Sequence, residues 1–358
     1  MAASFVRTRL ARALRFMKWY GLRGLFVMFG VPCSSGGVLA DQPTLGPFER
    51  TNPRELVMAY GAENFSATEA LNGSFSSREH CADTNNCLWL EVGGRGDCIR
   101  YYQHGLKETG NRSVLVYFGG DVLMRTSKGV RYIASSYSSS SPAKLTSDMV
   151  EWSSQANIPA VYIARPGIYG SSGDHNKRRD YREISLMSRA LDSIKERYRI
   201  TSFILTGHSA GGQIVAALLN ERSDISAAVI SSGLVSVKQV SSFWEHKRQI
   251  PGKILYNAKS FYDPVEGVDQ IRKDHPPEIY VISDPEDRVV PFYSQLYYVR
   301  RLRRSGLHPE HIYAQAPLPS RHVLAPNAKL AAALLAQGKT AIEIRKALLE
   351  FELRTAHE

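Results

Sequence analysis

A chain of 358 residues can bury the core of one large α/β domain or two smaller ones. Its 43% hydrophobic and 22% charged residues exclude a disordered chain, a collagen-like fibre and a polytopic membrane protein. The net charge of +11 does not mark a nucleic-acid binder: Arg7, Arg9, Arg12, Arg15, Lys18 and Arg23 lie in an acid-free stretch, 1–40, beyond which 39 basic face 34 acidic side chains.

The remaining basic clusters, 177–179 and 300–304, are short and read as solvated faces. The start of the chain reads as a targeting segment. A basic stretch precedes the apolar run 24–31, then small polar residues, then Val38-Leu39-Ala40 with the first acid, Asp41, directly after. Cleavage near Ala40 is expected, giving an exported protein, periplasmic or secreted. An uncleaved anchor, which is the sole membrane association expected, and an Arg-rich organelle transit peptide are the competing readings. The run is shorter than the roughly 20 residues of a comfortable span.

Residues 41–86, rich in Gly, Asn, Ser and Pro, read as a loosely structured lead-in. Cys81 and Cys87 flank a turn-rich stretch and could close a small disulfide loop; the alternative is that these and Cys98 are unpaired thiols. With no second Cys/His cluster, no metal site is expected. Residues 87–92 and 98–103 form a β-hairpin around Gly93–Asp97, and 113–118 has the β-branched and aromatic run of a strand buried on both faces. A polar loop at 135–141 leads to a helix at 142–156, with Ser141 as N-cap and Pro142 in its first position. A strand follows at 159–164. Next comes a helix at 181–198, whose Ile184, Met187, Leu191, Ile194 and Tyr198 share one face. Strand 202–206, helix 210–221 and strand 227–231 continue the alternation. After an excursion at 233–276 come strand 278–283, helix 291–304, strand 312–316 and closing helices at 327–337 and 340–353.

This order predicts an α/β fold, a mostly parallel central sheet with helices on both faces and an antiparallel hairpin at the N-terminal edge. One domain is expected over 87–358, with a cap-like insertion about 233–276. Phe243, Trp244, Tyr256, Phe261 and Tyr262 make that insertion either an aromatic lid over an acyl pocket or an ordinarily packed helical segment.

Chemistry concentrates at Gly207-His208-Ser209-Ala210-Gly211-Gly212, between a strand and a helix. A serine there must turn sharply off the strand, so its neighbours must lack bulk, and the N–H of Ala210 at the helix start can bond a developing oxyanion. A hydroxyl nucleophile needs a base, and the base needs an orienting acid. Of the later histidines, His308 and His311 precede a strand and His357 lies in the tail. Only His322 occupies a loop after a strand. Asp284, Glu286 and Asp287 compete for the acid.

The constellation resembles the α/β-hydrolase superfamily over roughly 87–350, with nucleophile, acid and base in family order. Asp287-Arg288-Val289-Val290-Pro291 is similar to the family's Asp-x-x-Val-Pro and implies Asp287 as the acid. Arg165–Gly173 looks like the Gly- and Ser-rich loop after its fourth strand, and Tyr262-Asp263-Pro264 like a segment of its peptidase and esterase branches. The resemblance also implies a second oxyanion donor in Gly119-Gly120-Asp121, either Gly120 or Asp121, although Phe118 stands where the family often has His. The expected function is hydrolysis of an ester, thioester or amide of a small-molecule or acyl substrate through an acyl-enzyme, without metal or organic cofactor. A non-catalytic binding protein and an acyltransferase or lyase on the same scaffold are the alternatives. Substrate and oligomeric state are not written in these motifs.

Overall fold

In the computed structural model, residues 43–248, 250 and 255–355 are described; the expected targeting segment lies outside them. Eight strands form the central sheet: β1 (Cys87–Val92), β2 (Arg95–His104), β3 (Ser113–Phe118), β4 (Ala160–Ile163), β5 (Ser202–His208), β6 (Ile225–Ser231), β7 (Glu278–Ser283) and β8 (Glu310–Tyr313). Their order is β8-β7-β6-β5-β3-β4-β2-β1. All neighbours from β4 to β8 pair in parallel, whereas β1–β2 and β2–β4 are antiparallel. The α/β expectation holds, hairpin included. The hairpin turn is tighter than expected: it closes on Gly93-Gly94, and β2 starts at Arg95. Gly96 lacks a side chain because the Trp89 ring fills the place of its Cβ.

Seven longer helices flank the sheet: α1 (Pro142–Ala156), α2 (Tyr181–Tyr198), α3 (Ala210–Glu221), α4 (Val237–Arg248), α5 (Phe292–Arg304), α6 (Ala325–Ala336) and α7 (Ala341–Thr355). One core layer joins Val114, Val116 and Phe203 to α2, α3 and α5; the other joins Leu115, Tyr117 and Val229 to α1, α6 and α7. Alternating side chains on strands covered on both faces produce these two layers. Residues Ala210–Asn220 of α3 are all buried, as an apolar helix clamped between sheet and loop must be. Among the described residues no helix is long and apolar enough to cross a membrane.

Two expectations are corrected. The stretch before the hairpin is not loose: it contains the short helices Ala67–Asn72 and Arg78–Ala82 and buries Phe65 and Leu71. Phe65 packs edge-on to Tyr169 at 5.3 Å, a long-range contact that local periodicity does not register. Nor do Cys81 and Cys87 pair. The disulfide is Cys81–Cys98, and Cys87 is a buried free thiol. The hairpin register carries Cys98 of β2 back over the Arg78–Ala82 helix, so that the sulfurs of Cys81, Cys87 and Cys98 all lie within 4.8 Å of one another. Burial pushes the Cys87 thiol up to about 11.

Candidate active site

At the end of β5 the chain turns through Ser209 at φ 55°, ψ −118°, and α3 begins at Ala210. A non-glycine residue is strained there, and the surroundings hold it. Ser209 N–H donates to Ser231 O at 2.9 Å, and Leu234 N–H donates to Ser209 O at 3.1 Å. The flanking glycines are steric requirements: a Cβ on Gly207 would lie 2.3 Å from Gly211 O, and one on Gly211 only 1.9 Å from Phe118 O. Ser209 is 8% exposed.

Beyond β7 the three candidate carboxylates separate. Asp284 is fully buried and takes two bonds from Arg321, at 2.7 and 3.0 Å, with the N–H groups of Ala316 and Glu286 at 2.8 Å each. Burial opposes its ionisation, but the bonds from Arg321 and the backbone outweigh that and hold its pKa below the ordinary carboxylate value. Glu286 is 68% exposed. Asp287 accepts from the N–H groups of Val289 at 2.8 Å and Val290 at 2.9 Å, and meets His322 Nδ1 at 2.8 and 3.1 Å. The acid and base loops are also stapled to each other, with Arg288 N–H on Ser320 O and Arg288 Nη1 on Pro319 O, both at 3.0 Å. His311 is elsewhere, bonded to Ser283 Oγ at 3.1 Å and stacked on Phe292.

Opposite Ser209 lies the loop after β3. A Cβ on Gly120 would stand 3.3 Å from Ser209 Cβ, so this backbone runs directly beside the serine. The first N–H groups of α3, Ala210 included, have no acceptor within the helix. Asp121 turns its carboxylate away into a cluster of arginines.

His208 had not been singled out. Its ring lies 4.9 Å from that of His322, and its Nδ1 is 3.1 Å from Ser231 Oγ. Burial, then the nearby His322, holds its pKa well below the usual imidazole range, so it lies beside His322 as a neutral ring. The Asp284–Arg321 pair was also missed, though an arginine directly before His322 was a visible signal. Of the insertion's aromatics, Trp244 and Phe261 pack with Ala210, Val289 and Val290, and Trp244 Nε1–H donates to Val289 O at 2.8 Å. Tyr262 instead packs against the core beneath α3, where its OH accepts from Asn220 at 3.3 Å. Asp263 caps the start of α4 by accepting from the Val237 and Lys238 N–H groups at 2.8 and 3.1 Å.

Residues 170–339 match the sequence profile of the prolyl oligopeptidase family. No curated protein matches the chain. Among solved structures, an esterase from Pyrococcus furiosus is similar at a TM-score of 0.51 and 12% identity, over 81% of this chain and 97% of the esterase. A puromycin-hydrolyzing peptidase of Mycobacterium tuberculosis gives 0.49 and 15%, over 71% of this chain. An acylaminoacyl peptidase of Pyrococcus horikoshii gives 0.47 and 13%, over 70%. This chain spans only 39% and 40% of those two peptidases. At 12% identity the likeness to the esterase is one of fold; the profile match spans the segment that contains Ser209, Asp287 and His322.

Proposed function

We propose that this chain, a member of the α/β-hydrolase superfamily, is a serine hydrolase in which Ser209 is the nucleophile, His322 the general base and Asp287 the orienting acid. The observation that carries the reading is the 2.8 Å bond between His322 Nδ1 and Asp287, formed at the sheet end where Ser209 turns off β5. That bond fixes the imidazole tautomer and leaves Nε2 as the basic nitrogen.

In the proposed reaction Ser209 Oγ bonds to the carbonyl carbon of an ester or amide as His322 Nε2 takes its proton. The carbonyl π electrons move onto oxygen, which the Ala210 and Gly120 or Asp121 N–H groups stabilise. The tetrahedral adduct collapses, and the leaving group departs with the proton from His322. Water then attacks the acyl-enzyme by the same steps, releasing the acid and restoring Ser209.

A fluorophosphonate probe tests this directly. The unmodified protein should be labelled, and Ser209→Ala should lose both the label and at least about 10³-fold of its turnover of an activated ester, with its thermal melt unchanged. Labelling at a different serine, or full turnover by the variant, overturns the assignment.

A further inference from the structure

Next to Gly120, the single carboxylate of Asp121 is shared by three guanidinium groups. Arg165 Nη1 and Arg178 Nε lie 2.9 Å from it, and Arg179 Nη2 closes the set. Arg165 is balanced by Glu183 at 2.9 Å, and burial together with Arg165 and Arg178 keeps His175 largely neutral. Asp121 is therefore left as counter-charge to both Arg178 and Arg179.

Two further arginines join them. Arg178 Nη2 reaches Leu123 O at 3.3 Å, tying the cluster to the short strand Leu123–Arg125. Arg125 and Arg248 stand 5.7 and 5.8 Å from the Tyr256 ring, and Arg248 donates to Tyr256 OH at 2.7 Å. Arg248 also lies 4.2 Å over Trp244, which packs with Ala210 beside the nucleophile. Among the described residues, no carboxylate forms an ion pair with Arg125 or Arg248, and the buried Nε of Arg125 and Nη2 of Arg165 have no hydrogen-bond partner. Burial, then the charge on Arg178, pushes Arg125 down to about 10. Partly buried positive charge without a matching anion is costly to the fold, and an anionic ligand removes that cost.

We propose that Arg125, Arg179 and Arg248 form an anion subsite beside the oxyanion loop, with Arg178 held behind them by Asp121, His175 O and Leu123 O, and that the substrates are esters or amides carrying a carboxylate in addition to the scissile carbonyl. This rests on the hydrolase reading above and narrows its substrate class. Guanidinium groups suit the role because their planar donors match a carboxylate in pairs. The three side chains come from three separate segments, the strand Leu123–Arg125, the 178–179 turn and the end of α4.

The test compares para-nitrophenyl butyrate with mono-para-nitrophenyl glutarate, which carries the carboxylate on the acyl side. Phenyl butyrate and para-carboxyphenyl butyrate form the second pair, with the charge on the leaving group. One charged ester should exceed its neutral partner in kcat/KM by about tenfold or more, mainly through KM, and the advantage should shrink as salt is raised. Arg125→Gln and Arg248→Gln should each reduce that ratio severalfold, and Arg125→Lys should restore part of it. If a Gln variant fails to fold, the salt titration of the unmodified protein decides. Equal kcat/KM within both pairs, or a preference that survives both Gln substitutions in folded protein, overturns the subsite. A protein that turns over no ester and takes no probe at Ser209 fails the hydrolase reading instead.

Discussion

Three carboxylates lie within four residues after β7, and their surroundings give them separate tasks. Asp287 holds His322, Asp284 holds Arg321, and Glu286 faces solvent. Asp287→Asn is expected to lower kcat by about 10⁴ with little change in stability, because the amide stabilises the wrong imidazole tautomer. Asp284→Asn should leave most turnover intact but destabilise the fold by roughly 2–3 kcal/mol, since Arg321 loses its buried partner. The pH dependence separates the two roles further. The folded pKa of Asp284 is depressed, so its stabilisation is full above the unfolded value of roughly 4 and is lost as pH falls through the lower folded value. Urea unfolding from pH 7 down to pH 3 should therefore show a smaller acid loss in Asp284→Asn than in the unmodified protein. The opposite ranking of the two variants in kcat would move the orienting role to Asp284.

The hairpin β1–β2 shows how pairing overrides spacing. Trp89 faces Cys98 and Cys87 faces Arg100, so Cys98 is brought to Cys81 although Cys87 is nearer along the chain. Peptide mapping of unreduced protein should yield a Cys81–Cys98 crosslink, and Cys87 should react with iodoacetamide only after denaturation. Reducing a bridge between residues 17 apart should lower stability by about 3 kcal/mol. A mapped Cys81–Cys87 bridge would overturn the pairing, though not the register, because the sulfurs of Cys81, Cys87 and Cys98 all lie within 4.8 Å of one another. At the start of α3, Gly211 is required because backbone of β3 occupies the space a side chain would need, and Gly212 because Gly233 and Ile230 do.

On the scale of the whole molecule, residues 43–86 belong to the cooperative unit. Phe65 is buried among Tyr102, Tyr137 and Tyr169, with ring centroids 5.3–6.3 Å away, and Ser74 bridges to Gly173 in the loop after β4. Phe65→Ala should cost about 3–4 kcal/mol and shift the single unfolding transition seen by both fluorescence and circular dichroism. A loss below about 1 kcal/mol, or a separate early transition, would mean that this segment folds independently of the sheet.

The strands of the central sheet and the longer helices from 87 onward were legible because burial on both faces writes itself as β-branched runs, and one-sided burial as a 3.6-residue period, whereas the short strands Leu123–Arg125 and Arg131–Ile133 and the helix Ser135–Ser138, expected as a polar loop, were not. The elbow at Ser209 was legible too, since Gly207 is demanded by the backbone of Gly211 just beyond the turn. The Cys81–Cys98 pairing and the three arginines on Asp121 were not, whereas the likeness to Asp-x-x-Val-Pro had already implied Asp287 as the partner of His322. Sequence by itself determined the elements and the kinds of residue available for chemistry, because those follow from local periodicity and sterics. Only the tertiary structure decided which charges, thiols and rings meet, because those partners lie tens of residues apart and are chosen by strand register and loop path.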